Sequence, residues 1–202
     1  MEHTDFEILH KSTVFQGYFR IDRYRFRHRL FAGGWSEDIT REVFERGHAV
    51  GVLAYDPERD TIILIEQFRI GAVAADMPAW QPEVIAGIID EGESPEDVAR
   101  REAKEEAGCT IRDLVHICHY LVSPGGASET VQLYCGRVDS AGVGGIHGLA
   151  HEHEDIRVEV VPVQEARERL CAGRFSNAPL IIALQWLILN RDDLRARWFG
   201  AS

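Results

Sequence analysis

The sequence predicts an α+β fold, a mixed β-sheet core flanked by helices and preceded by a small N-terminal β-rich extension. Three features carry that reading. Apolar residues alternate in short runs, a well-capped helix of about thirteen residues interrupts them, and two helical segments close the chain. Residues 1–45 form the extension. There Phe19, Ile21, Tyr24, Phe26 and His28 alternate with arginines, and Gly33-Gly34 marks a turn. This segment is too small for a core of its own, so it should pack on the main body or on another subunit. Residues 46–202 form the main domain. A hairpin is expected from Ala49 to Tyr55 and Thr61 to Phe68, joined by Asp56-Pro57-Glu58-Arg59-Asp60, with a third strand through Val84 to Ala86. The helix begins where Ser94 can cap, Pro95 suits the first position, and Glu96 and Asp97 favour the positive end; Gly108 suits the left-handed stop. Strands follow at Leu114 to Val122 and Thr130 to Val138. After a Gly-rich stretch come a strand from Ile156 to Val163 and helices over Gln164 to Ala172 and Pro179 to Arg195.

Composition narrows the function. The 202 residues carry a formal net charge of −11, which disfavours a nucleic-acid-binding surface, since that needs a basic stripe to displace counterions. The same charge means that an anionic ligand would need metal ions or local arginines. The first eleven residues mix Glu, His, Asp and Lys without an apolar centre, and the longest apolar stretch, Pro179 to Leu189, is too short to span a bilayer. Four cysteines without a CxxC pair fit reduced thiols. The expectation is a cytoplasmic protein with no membrane partner.

The helix holds the candidate chemistry. Glu102, Glu105 and Glu106 stand at i, i+3 and i+4 and share one face, while Ala99, Ala103 and Ala107 form a small apolar stripe beside it. Like charges at these spacings repel, and a divalent cation turns that repulsion into a binding site, Mg²⁺ preferring carboxylate oxygens. Three glutamates alone read more readily as a solvated acidic face. The wider pattern decides: Gly87, five residues, Glu93, seven residues, Arg101-Glu102, two residues, Glu105-Glu106, one residue, Gly108. Seven fixed positions match by chance with odds on the order of 10⁻⁶.

This pattern resembles the Nudix box, with Ala103 and Cys109 filling its two apolar slots weakly. The resemblance implies hydrolysis of a nucleoside diphosphate linked to another group. It places the metal ions, Mg²⁺ with Mn²⁺ as a substitute, on Glu102, Glu106 and the carbonyl of Ala86, and gives Glu105 and Arg101 roles in the catalytic machinery, Arg101 orienting the glutamates. Pro124, sixteen residues past Gly108 within Ser123-Pro124-Gly125-Gly126, together with stretches such as Tyr24-Arg25-Phe26-Arg27-His28-Arg29-Leu30 and Gly145-Ile146-His147-Gly148-Leu149-Ala150, is similar to the bacterial ADP-ribose pyrophosphatase branch. That likeness implies substrate contacts from Arg46, Arg69, Glu129, Ser123, Pro124 and Gly125. It makes Tyr18 and Phe19 candidates to stack on adenine, together with Arg41 and Glu42, across the boundary of a homodimer.

The Gly-rich loop ends in His151-Glu152-His153-Glu154-Asp155. The resemblance makes Glu152 the general base and Glu154 a further metal ligand. His147, His151 and His153 lack a fourth ligand at zinc spacing. Two rivals share these residues: a hydrolase of another nucleoside-diphosphate sugar such as GDP-mannose, and a non-catalytic Nudix-fold nucleotide-binding regulator. An intact set of glutamates and the lack of a helix-turn-helix signal favour the enzyme.

Overall fold

The computed structural model describes residues 5–149, 151 and 153–200. The chain divides into two compact units, one of Met1–His48 with Tyr120–Thr130, the other of Ala49–His119 with Val131–Ser202. The first therefore borrows an eleven-residue segment that the division at residue 45 leaves with the main domain.

In the first unit, strands β1 (Phe6–Gln16), β2 (Arg20–His28) and β3 (Ile39–Glu45) form an antiparallel sheet in the order β1-β2-β3. Few of its side chains are buried, as alternation without a second apolar layer requires. One exception is Asp22, to which Thr13 donates a hydrogen bond and Lys11 and Arg20 supply cations. The borrowed segment attaches along β3: Phe44 N–H donates to Gly126 O, and Ser128 N–H donates to Phe44 O.

The second unit is built on a mixed sheet. Its strands are β4 (Ala49–Asp56), β5 (Thr61–Phe68), β6 (Trp80–Glu83), β7 (Ile85–Ile88), β8 (Leu114–Leu121), β9 (Thr130–Arg137), β10 (Gly145–His147) and β11 (Ile156–Pro162), with helices α1 (Ile70–Ala74), α2 (Pro95–Ala107), α3 (Val163–Cys171) and α4 (Ala178–Phe199). The order is β10-β11-β5-β4-β9-β8, with β6 bonded to β5 and β7 to β4; β4 and β9 run parallel. The expected hairpin exists only at its closed end. β4 and β5 pair from Ala54–Asp56 to Thr61–Ile63, then part, and β6 and β7 fill the gap. At the turn, buried Asp56 accepts the N–H groups of Glu58 and Arg59 and both the N–H and the hydroxyl of Ser140, which explains how a charge survives out of water.

Alternation divides the core. Val50, Val52, Ala54, Ile63, Ile65, Ile85, Ile156 and Val158 meet Val98, Ala99, Ala103 and Ala107 of α2. Small alanines on the helix let it lie close to the sheet. The helix ends behave as the sequence predicts: Ser94 Oγ accepts from Asp97 N–H, and Gly108 adopts φ 60°, its N–H reaching Lys104 O while Cys109 N–H reaches Ala103 O. The short elements α1, β6 and β10 were not legible in the sequence; each is three to five residues long, and such lengths carry too little periodicity to read. Among the described residues no helix is long and apolar enough to cross a membrane.

Candidate active site

The carboxylates of α2 face the strand that carries the first glycine of the motif. Gly87 lies in β7, opposite Val50 of β4. A Cβ built on it would fall 2.1 Å from Glu102 Oε1 and 2.5 Å from Glu102 Cγ and Cδ. The missing side chain is thus the cradle that seats Glu102 against the strand. One residue earlier, Ala86 N–H donates to Glu106 Oε2 at 3.0 Å. Glu106 is only 3% exposed, and a carboxylate there is costly. Burial first, then the neighbouring charges of Glu102 and Glu154, push its carboxyl up to about 8 against the opposing bond from Ala86. Burial likewise raises Glu102 to about 7, with Glu105 adding to the effect and Arg101 resisting it.

Arg101 occupies the outer edge of the cluster. Its Nη1 donates to Glu102 Oε1 at 2.8 Å and to Glu105 Oε2 at 3.2 Å, and its Nη2 lies 3.6 Å from Glu93. The motif's Arg and three of its Glu are therefore one ion-pair network. Arg69, at the start of α1, is paired with Glu83 on β6. Glu154, in the loop before β11, accepts the N–H of Leu149 at 3.2 Å and is near enough to raise the pKa of both Glu102 and Glu106. Glu152 lies outside the described residues. His147 of β10 rests on the end of α2, where a Cβ on Gly108 would come within 2.8 Å of its ring.

Among the described residues no three or more His, Cys, Asp or Glu side chains are already arranged around a cation; Arg101 and Ala86 hold the carboxylates instead. The donor set nevertheless suits a hard divalent ion. Buried Glu106 and half-buried Glu102, both with raised pKa values, a third acid beside them and a glycine cradle gather oxygen donors whose charged forms a bound cation would stabilise.

The first unit gathers a separate group of the expected residues. Arg46 forms an ion pair with Glu129 at 3.0 Å and stacks over the ring of Phe19, which in turn meets Tyr18 and Phe44 edge-on. The Ser123–Gly125 stretch is a tight turn in which Ser123 O accepts from Gly126 and Ala127 N–H. Tyr18 is 89% exposed. Arg41 and Glu42 on β3 are engaged elsewhere, Arg41 with Thr40 O and Glu42 with Arg23. Sequence reasoning missed Glu83, because it lies beyond Pro82 in a four-residue strand that reads as loop, and no spacing ties it to Arg69.

Comparison with known proteins agrees with this picture. The NUDIX domain family model matches residues 45–181. The chain is 49% identical over 194 residues to the ADP-ribose pyrophosphatase of Escherichia coli (strain K12), covering 96% of this chain and 93% of that protein. It is 47% identical over 197 residues to the ADP-ribose pyrophosphatase of Haemophilus influenzae, covering 96% and 91%. The GDP-mannose pyrophosphatase of Cronobacter sakazakii is 34% identical over 151 residues, covering 74% and 78%. The crystal structure of an ADP compounds hydrolase shares the fold, with a TM-score of 0.67 at 22% identity over 91% of this chain and 95% of that one. The family match and the relatives at 47–49% identity, together with the carboxylate helix held against a glycine-bearing strand, make the chain a hydrolase. The chain belongs to the Nudix family.

Proposed function

We propose that the protein hydrolyses the pyrophosphate bond of ADP-ribose, giving AMP and ribose 5-phosphate, and that Mg²⁺, with Mn²⁺ as a substitute, supports the reaction. The observation that carries this reading is 49% identity to an ADP-ribose pyrophosphatase over 96% of the chain. Glu102, Glu106, Glu154 and the Ala86 carbonyl would hold the metal, which polarises phosphoryl oxygens and makes water a stronger nucleophile when bound. Arg101 keeps Glu102 and Glu105 in place. Arg69 offers positive charge to a diphosphate in a unit otherwise dominated by acids. Glu152 serves as the base that accepts the water proton. Arg46, Glu129 and the Ser123-Pro124-Gly125 turn contribute substrate contacts, and Tyr18 and Phe19, with Arg41 and Glu42, contribute the adenine contacts. The protein acts as a homodimer; the exposed Phe15, Tyr18 and Phe31 of the first unit support this, being large apolar groups that a second copy would cover. Its cysteine usage favours the cytoplasm.

The test is a panel of ADP-ribose, GDP-mannose and other nucleoside-diphosphate compounds with Mg²⁺, Mn²⁺ or excess EDTA, with products separated chromatographically. AMP and ribose 5-phosphate should appear fastest from ADP-ribose and disappear in EDTA. Faster cleavage of GDP-mannose would displace the substrate assignment, and undiminished turnover in EDTA would remove the metal.

A further inference from the structure

Glu83 is a buried charge that no motif explains. It is 5% exposed and stands opposite Ile65, a core residue, in the β5–β6 pairing. A carboxylate so placed is retained only where a cation and hydrogen bonds offset its lost hydration. Arg69 supplies both: Nε donates to Oε1 at 3.1 Å and Nη2 to Oε2 at 2.8 Å, a side-on bidentate pair. The Arg69 main chain is tied to the same hairpin, its N–H donating to Ala79 O at 2.8 Å.

The asymmetry of the pair is informative. The Glu83 side chain is 7% exposed and that of Arg69 is 45% exposed, so the carboxylate is enclosed while much of the arginine side chain stays accessible. Among the described residues no hydrogen bond engages Nη1. Burial works to lower the guanidinium's pKa, but Glu83, and beyond it Glu106 and Glu154, raise it, which places Arg69 beside the carboxylate cluster. Those acids attract it. Without Glu83 the guanidinium would lose the two bonds that fix its orientation beside them.

We infer that Glu83 is a positioning residue: by holding Nε and Nη2 it fixes the Arg69 guanidinium and leaves Nη1 for an oxygen of the substrate's diphosphate. This rests on the proposed hydrolase activity. It adds a residue that touches no substrate atom and acts only through Arg69.

The test is a double-mutant cycle of Glu83→Gln and Arg69→Ala. It is read by kcat and KM for ADP-ribose, by calorimetric affinity for the non-hydrolysable α,β-methylene analogue, and by urea denaturation. Glu83→Gln is isosteric and preserves core volume, but removes the charge that orients the guanidinium. It should raise KM and weaken analogue binding about tenfold or more, the span expected for one charged hydrogen bond, with a smaller change in kcat. In the Arg69→Ala background the same substitution should add less than about twofold, because the group it acts through is gone. Arg69→Lys, which cannot make the bidentate pair, should raise KM similarly and provides the reading if Glu83→Gln does not fold. The inference is overturned if the two effects multiply, if Glu83→Gln changes the urea midpoint but leaves KM and analogue affinity alone, or if Arg69→Lys binds like the wild type. Should another nucleoside-diphosphate sugar prove the better substrate, the ADP-ribose assignment falls, while the same cycle run with that compound still judges Glu83.

Discussion

Gly87→Ala adds one methyl group, yet the structure predicts that it will disable the site while leaving the fold standing. The new Cβ would lie 2.1 Å from Glu102 Oε1, where a comfortable contact is about 3.5 Å, so the carboxylate must retreat by more than about 1 Å. Neither backbone can move instead. Gly87 is paired with Val50 in the sheet, and α2 is pinned by fully buried Ala99, Ala103 and Ala107. The strain therefore falls on the Glu102 side chain, which leaves its rotamer and loosens its bond to Arg101. Off-rotamer strain and local overpacking should cost about 1–2 kcal/mol of stability. Misplacing a catalytic group by about 1 Å costs on the order of 10²-fold in rate. Steady-state kinetics with ADP-ribose across a Mg²⁺ titration, paired with urea denaturation, will measure both. Expected are a kcat reduced about 10²-fold, a higher Mg²⁺ requirement and a cooperative unfolding transition. A variant whose kcat stays within about threefold of wild type at an unchanged Mg²⁺ requirement would refute the cradle.

Three further outcomes follow from the same geometry. Because the Glu106 carboxyl is raised from 4.5 to about 8 on folding, the native chain holds a proton there that the unfolded chain releases, so in EDTA stability should fall as pH rises from about 4.5 to 8. Glu106→Gln should make that fall shallower, Glu102 contributing the remainder, while cutting kcat on the order of 10²-fold or more with Mg²⁺ present; identical melting profiles from pH 5 to 8 would contradict the burial argument. Asp56→Ala leaves the Ser140 N–H and hydroxyl without their acceptor and should lower the unfolding free energy by about 3 kcal/mol in urea, with an unchanged midpoint counting against it. Finally, Glu152→Gln should lower kcat by about 10²–10⁴-fold at constant Mg²⁺ dependence, whereas Glu154→Gln should shift that dependence upward and recover at high metal; exchanged phenotypes would reverse the two assignments.

The sequence by itself determined the local features. Ser94, Pro95 and Gly108 specify where α2 begins and ends because capping is a contact between residues three or four apart. The helical period then places Glu102, Glu105 and Glu106 on one face before any tertiary contact forms. The long strands β4 and β5 were legible for the same reason, as short apolar runs bounded by turn residues. Only the tertiary structure decided which strands adjoin. The parallel pairing of β4 with β9 joins residues about eighty positions apart, and the insertion of β6 and β7 between β4 and β5 turns an apparent hairpin into an opening in the sheet. That opening brings Glu83 to Arg69 and Ala86 to Glu106. It also buries Glu106 far more than its exposed-looking place in an Ala-Lys-Glu-Glu-Ala run suggests. Burial is a property of what packs on a residue, so the raised pKa values of the site, and the partner that steadies Arg69, exist only once distant segments have met.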